Sequence, residues 1–254
     1  MQKVKLIIFR IFKFILNFIF YSFVASIFLV LFYRFVPPPI TPTMVLWSIG
    51  PKPGGKPYKL QKDYVSINNI SPDVALAVVS SEDNYFLLHH GFDFVSIKAA
   101  KEYNKTHTDS KKGASTISQQ VAKNVFLWQG RSYVRKAFEV YFTVLIETFW
   151  PKKRIMELYL NEIEFGEGIY GVEAASHVFF SRPAKSITRE QAALLAAVIP
   201  APHHWSPVNP NGTVIMRQQS ILWNMNNIVK IDYDHPPVIP PEMLEPVLNP
   251  NTAK

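Results

Sequence analysis

Residues 82–93 read Glu82-Asp83-Asn84-Tyr85-Phe86-Leu87-Leu88-His89-His90-Gly91-Phe92-Asp93, and the same polar character returns in Gly113-Ala114-Ser115-Thr116-Ile117-Ser118-Gln119-Gln120-Val121-Ala122-Lys123-Asn124 and in Arg135-Lys136-Ala137-Phe138-Glu139. Carboxylates, amides and cations are costly to bury. A run of them between apolar segments therefore points to the lining of a cleft rather than to a core. The spacing is helical. Thr116 and Gln119 form a capping-box pattern, Ile117, Val121 and Val125 recur in steps of four as a buried stripe, and Thr116, Gln120 and Lys123 fall on another face.

Helices are predicted outward from this centre. Ser71-Pro72-Asp73 opens one that continues through Val74 to Val79 and reaches Glu82 at its far end. Others cover Tyr133 to Phe149, with Val134, Phe138, Tyr141 and Leu145 apolar, and Lys152 to Ile163 after the stop at Pro151. Thr188 and Gln191 cap an apolar helix from Ala192 to Ile199, ended by Pro200 and Pro202. Gly166, Gly168 and Gly171 mark a permissive turn region. A short strand is expected near Tyr64 to Ile67. Phe94 to Lys112 turns polar from Lys101 and reads as a mobile loop, offering Lys105, Lys111 and Lys112 to an anion. The fold class is mainly α.

The N-terminus has a different character. Residues 14–33 are twenty in a row without a charge, about the length a helix needs to cross ~30 Å of hydrocarbon. No small-residue cleavage site follows before Pro37-Pro38-Pro39, which favours an uncleaved single anchor over a signal peptide. Lys3, Lys5, Arg10 and Lys13 precede the span and Arg34 follows it, so the N-terminus is expected in the cytoplasm and the rest on the outer side of the inner membrane. Setting those five aside reduces the formal charge of +8 to 22 Lys and Arg against 19 Asp and Glu, a net of +3. The excess is a topology signal, and no nucleic-acid motif accompanies it. With no cysteine there is neither a disulfide framework nor a thiolate metal site. The expected organisation is a cytoplasmic stub and anchor over 1–36, a proline-rich stalk over 37–64, a catalytic domain over 65–232 and a proline-rich tail over 233–254.

Glu82 and Glu139 lie on different predicted helices, and a pair of carboxylates is the usual apparatus for chemistry at a sugar C1. The competing reading makes each a surface glutamate in a helix-face ion pair, Arg135 with Glu139 at i, i+4 being the obvious case. Arg131, Arg135 and Lys136 stand at a helix start, where the macrodipole disfavours cations. Cations and free N–H groups there make a phosphate site, with Lys123 near enough to join. His89-His90 and His203-His204 lack the spacing of a metal site and are read as structural. Trp128, Phe149 and Trp150 are read as core rather than a ligand platform, with a membrane-facing patch as the alternative.

These residues resemble a known family. The patterns E-D-x-x-F-x-x-H-x-G-x-D, G-A-S-T-I-S-Q-Q-x-x-K-N, R-K-x-x-E and, at Lys152 to Asn161, K-x-x-I-x-x-x-Y-L-N are similar to those of the peptidoglycan glycosyltransferases, over about residues 65–225. Trp205-Ser206-Pro207 and Arg217-Gln218 look like the monofunctional branch. No S-x-x-K or K-T-G is present, and a penicillin-binding domain is not expected. The resemblance implies a lysozyme-like helical domain that polymerises lipid II into β-1,4 glycan strands with inversion and releases polyprenyl pyrophosphate. It implies Glu82 as general base and Glu139 as the second essential carboxylate. Lys123, Arg131 and Lys136 would stabilise the leaving pyrophosphate, and Ser115, Thr116, Gln119, Gln120, Asp83 and His89 would bind substrate. It requires no cofactor, although Glu139 is a conceivable ligand for a divalent cation, Mg2+ or Mn2+. The implied partners are lipid II, the growing glycan, the bilayer and cell-division or elongation proteins. Ala114 and Ser118 depart mildly from the family's more usual glycine and threonine.

Overall fold

The computed structural model describes residues 2–50, 59–107, 112–130, 132–227 and 231–236. The chain forms two compact units, Met1–Pro38 and Pro39–Lys254. The first is α1, Gln2–Tyr33, longer than the span read from the sequence. It holds a window of mean hydropathy 2.4 and is long and apolar enough to cross a membrane.

The second unit begins with α2, Pro42–Ile49, inside the stretch expected to be an irregular stalk. Thr41 caps it, accepting from Met44 N–H, and Pro42 occupies the first turn, where its missing N–H is harmless. The short strand lies at β1, Gln61–Lys62, not at 64–67, where a single 3₁₀ turn covers Ile67–Asn69. Then come α3, Pro72–Glu82, α4, Phe94–Thr106, α5, Ile117–Phe126, α6, Tyr133–Phe149, and α7, Lys152–Glu162. β2, Glu164–Gly166, and β3, Ile169–Tyr170, complete a sheet of order β1-β3-β2, with β1 parallel and β2 antiparallel to β3. The rest is α8, Val172–Phe180, α9, Arg189–Val198, and α10, Gly212–Asn227.

The expected mobile loop is mostly helix. Asp93 Oδ1 accepts from Ser96 N–H at 2.9 Å and caps α4, whose polar residues form a solvated face. Its cations are engaged: Lys105 pairs with Glu102 at 2.7 Å, and Lys112 lies over the Tyr103 ring. Lys111 is outside the described residues. Trp150 is buried as expected, whereas Trp128 is 41% exposed, edge-on to Phe138. On α6, Val134 and Phe138 are exposed too, so its apolar residues are not all turned inward.

Two helical groups form the body. α3, α9 and α10 pack on one another, and α5 packs on α6 and α7. Ile117, Val121 and Val125 are buried in the second group, as their spacing predicts. Its neighbour Asn161 clamps the segment before α3, donating to Val65 C=O and accepting from Val65 N–H. Gly171, at φ +84°, is required because a Cβ there would sit 2.8 Å from Asn161 O.

Lys62 closes β1 onto α7 by donating to both oxygens of Glu162, at 2.8 and 2.6 Å, in a pair almost wholly out of water. Burial outweighs the pull of Lys62 and leaves the Glu162 carboxyl raised to about 7. A raised folded pKa means that Glu162's contribution is fully present below the ordinary carboxylate range and is lost as pH rises through about 7. Lys62→Met should therefore lower stability by about 3 kcal/mol at alkaline pH, because it leaves a buried carboxylate uncompensated. The loss should be smaller at acid pH, where Glu162 can take a proton. Denaturant unfolding at pH 5.5 and 8.5 checks this, and equal losses would contradict it.

Candidate active site

The last turn of α3 delivers Glu82 to the head of α5, where the two helical groups meet. Its carboxylate is only 15% exposed. Gln120 Nε2 donates to Glu82 Oε2 at 3.0 Å, and Tyr159 of α7 donates its hydroxyl to Gln120 Oε1 at 3.2 Å. On the other side, Arg217 Nη2 of α10 stands 3.8 Å from Glu82 Oε1. Arg217 is itself fixed, with Nε donating to Ala197 C=O at 3.1 Å and the guanidinium over the Trp205 ring.

The next residue turns the other way. Asp83 is buried and accepts from Ile117 N–H at 2.9 Å, which ties the end of α3 to the first turn of α5. His89 Nε2 lies 2.9 Å from Asp83 Oδ1, while His89 Nδ1 accepts from Gly91 N–H at 3.0 Å. That second bond assigns the proton to Nε2, so His89 is a neutral donor to Asp83. Thr116 then donates to Gly91 C=O at 2.7 Å and shares a full capping box with Gln119. Asp83, His89, Thr116 and Gln119 thus form a frame that sets the angle between α3 and α5. Of the expected substrate contacts, these four are engaged in holding the site's shape.

A hollow of about 770 Å³ is lined by Gln120, Lys123 and Asn124 of α5, by Thr43, Leu46 and Trp47 of α2, and by the turn after α9, Ile199 to His204. A smaller hollow of about 160 Å³ is lined by Glu82 itself and by Gly113 to Thr116, including the exposed Ser115. Gln120 joins the two spaces, touching Glu82 while lining the larger one. The far end of the larger hollow is acidic, with Glu164 accepting from His203 at 2.9 Å, so His203 is a hydrogen-bonding residue as expected.

Lys123 has no carboxylate within ion-pair distance among the described residues. Burial holds its pKa below the usual lysine value, Arg135 and Lys136 lower it further, and Glu139 and Glu82 pull it back. It therefore senses both carboxylates. Glu139 is buried on α6, accepting from Arg135 Nη1 at 2.6 Å and from Lys136 Nζ. The helix-face ion pair weighed against a catalytic role thus exists, but inside the protein. Arg135 Nε is buried with no hydrogen-bond acceptor among the described residues, leaving a donor unspent beside Lys123 and Lys136. Arg131 lies outside the described residues.

A divalent cation does not fit Glu139 as this chain presents it. Both carboxylate oxygens already accept from cations, and among the described residues no group of three or more His, Asp or Glu could hold a metal ion.

Reading the sequence alone missed Tyr159 and Arg217 as parts of this site. The only signal for either was its place in the Y-L-N and Arg217-Gln218 patterns.

A family profile described as Transglycosylase matches residues 53–226. Among curated relatives, a protein of Bdellovibrio bacteriovorus is 51% identical over 83% of this chain and 84% of its own length. One of Bacteroides thetaiotaomicron is 45% identical over 90% of both chains, and one of Haemophilus influenzae is 47% identical over 83% of this chain and 86% of its own. All three carry the name biosynthetic peptidoglycan transglycosylase.

Proposed function

The chain belongs to the transglycosylase family, and from that premise we propose that it polymerises lipid II into β-1,4 glycan strands with inversion, releasing polyprenyl pyrophosphate and catalysing no transpeptidation. It is a glycosyltransferase acting on peptidoglycan, and its substrate is lipid II or a glycan chain. In the proposed step, the 4-hydroxyl of incoming lipid II attacks C1 of the sugar at the reducing end of the growing chain. A C1–O bond forms, the C1–O bond to the pyrophosphate breaks, and the hydroxyl proton passes to Glu82. Gln120 holds Oε2, and Oε1, approached by Ser81 Oγ at 3.4 Å and by Arg217 Nη2 at 3.8 Å, is the oxygen that receives the proton.

Charge then develops on the leaving pyrophosphate, and fixed cations are worth most where charge appears in the transition state. Lys123, Lys136 and Arg131 fill that role, while Glu139 holds Lys136 and Arg135 in place. The observation that carries the reading is Lys123: a half-buried cation with no ion-pair partner among the described residues, within the field of both carboxylates and facing the larger hollow. A partly desolvated cation without a paired carboxylate is the arrangement that an anion-binding site needs.

α1 anchors the enzyme in the inner membrane, with the N-terminus cytoplasmic and the catalytic unit on the periplasmic side, a reading supported by the cations before the span. Tyr133, 96% exposed, and Val134, 63% exposed, give α6 an apolar surface suited to a bilayer, where the lipid-linked substrate resides.

Detergent-solubilised protein given labelled lipid II should make a polymer that lysozyme digests. Release of fragments from purified cell-wall sacculi, without polymer, would identify a hydrolase instead.

A further inference from the structure

We propose that Tyr159 is a positioning residue for the glycosyl transfer, its buried hydroxyl fixing the Gln120 side chain so that Gln120 presents an N–H to Glu82. The inference rests on the reading of Glu82 as general base. An amide at the mouth of a hollow is free to rotate, and with its two ends exchanged Gln120 would turn a carbonyl oxygen toward a carboxylate. Two contacts select one orientation. Ionised Glu82 accepts only, so it takes the Nε2 end, at 3.0 Å. Tyr159 donates to the Oε1 end, at 3.2 Å.

Tyr159 is suited to that second task. It is 1% exposed, on a helix packed against α5, so its ring cannot follow the substrate. Burial, together with the neighbouring charges of Glu82 and Asp83, raises its pKa well above the usual tyrosine value. The hydroxyl therefore stays protonated and remains a donor throughout turnover. Gln120 alone would have to serve two masters, because it also lines the hollow that holds Lys123. The tyrosine keeps the amide on Glu82 when polar groups of a substrate enter, and so fixes the direction of the carboxylate's remaining oxygen. Small losses of alignment at a general base have large effects on rate.

A double-mutant cycle tests this. Tyr159→Phe should lower kcat for lipid II polymerisation by about tenfold, with KM within about twofold and the melting temperature retained. Combining it with Gln120→Met should produce no loss beyond that of Gln120→Met alone, since the hydroxyl acts through the amide. Unchanged kcat in Tyr159→Phe, or losses that multiply in the double variant, would overturn the proposal. Should Tyr159→Phe fail to fold, Gln120→Met reads the same link from its other end, and an unchanged kcat there overturns it equally. An active Glu82→Gln enzyme would remove the parent reading. Multiplying losses alongside an inactive Glu82→Gln would remove the relay alone.

Discussion

Glu82→Gln is expected to reduce glycan synthesis by about 10³-fold, within the range that a positioned general base contributes. The substitution keeps shape and volume, and a glutamine carbonyl at position 82 can still accept from Gln120 Nε2. The fold should therefore stand, because α3 is also tied to α5 by the neighbouring Asp83 through its bond to Ile117 N–H. What disappears is the ability to take a proton from the attacking hydroxyl. Polymer yield by gel electrophoresis, beside a thermal melt, separates the two effects. Near-normal synthesis by the folded variant would remove Glu82 from the chemistry.

Lys123→Met should slow turnover by about 10²-fold, the scale on which single electrostatic contacts to developing charge operate. Its effect on stability should run the other way. Because burial depresses the pKa of Lys123, the fold disfavours its charged form, and a methionine of similar volume relieves that strain. The sign follows from linkage. A lysine with a lowered folded pKa binds its proton more tightly when unfolded, so the wild type should gain stability as pH rises through the folded pKa toward the usual lysine value. The variant should lack that rise. A slow enzyme that melts no earlier than the wild type at pH 7, with a flatter stability profile to pH 9.5, is the expected result. Unchanged kinetics would exclude Lys123 from the leaving-group site.

The features that could be read in advance were those written locally in the chain. The capping box at Thr116 and Gln119, the apolar stripe of α5, and the proline stop before α7 each involve residues within a few positions of one another, and the helices stand where those signals put them. The bounds Tyr133–Phe149 of α6 were matched at both ends. α4 is hard to read from the sequence because Lys, Glu and Asn on its solvated face resemble a loop, and its capping residue Asp93 is also the last residue of the Glu82–Asp93 motif. α10 went unpredicted although Asn211 caps it, accepting from Val214 N–H.

The site itself was half visible. Glu82, Gln120 and Lys123 stood out by type and spacing. Arg217 and Tyr159 did not, since each meets its partner only after the chain has folded back past at least one intervening helix. Asp83 and His89, assigned to substrate from the motif, are engaged with each other, and Asp83 also with α5. A short-range pattern cannot tell a group that meets the substrate from one that holds its neighbour in place.

In the proposed mechanism labour is divided between two ends of one site, the carboxylate of Glu82 acting on the acceptor and the Lys123 charge on the lipid pyrophosphate. Equilibrium binding of a glycan strand carrying polyprenyl pyrophosphate, measured for the wild type, Glu82→Gln and Lys123→Met, addresses that division directly. The expected result is near-wild-type affinity for Glu82→Gln and weakening of about tenfold or more for Lys123→Met. Equal weakening in both variants, or none in Lys123→Met, would contradict it.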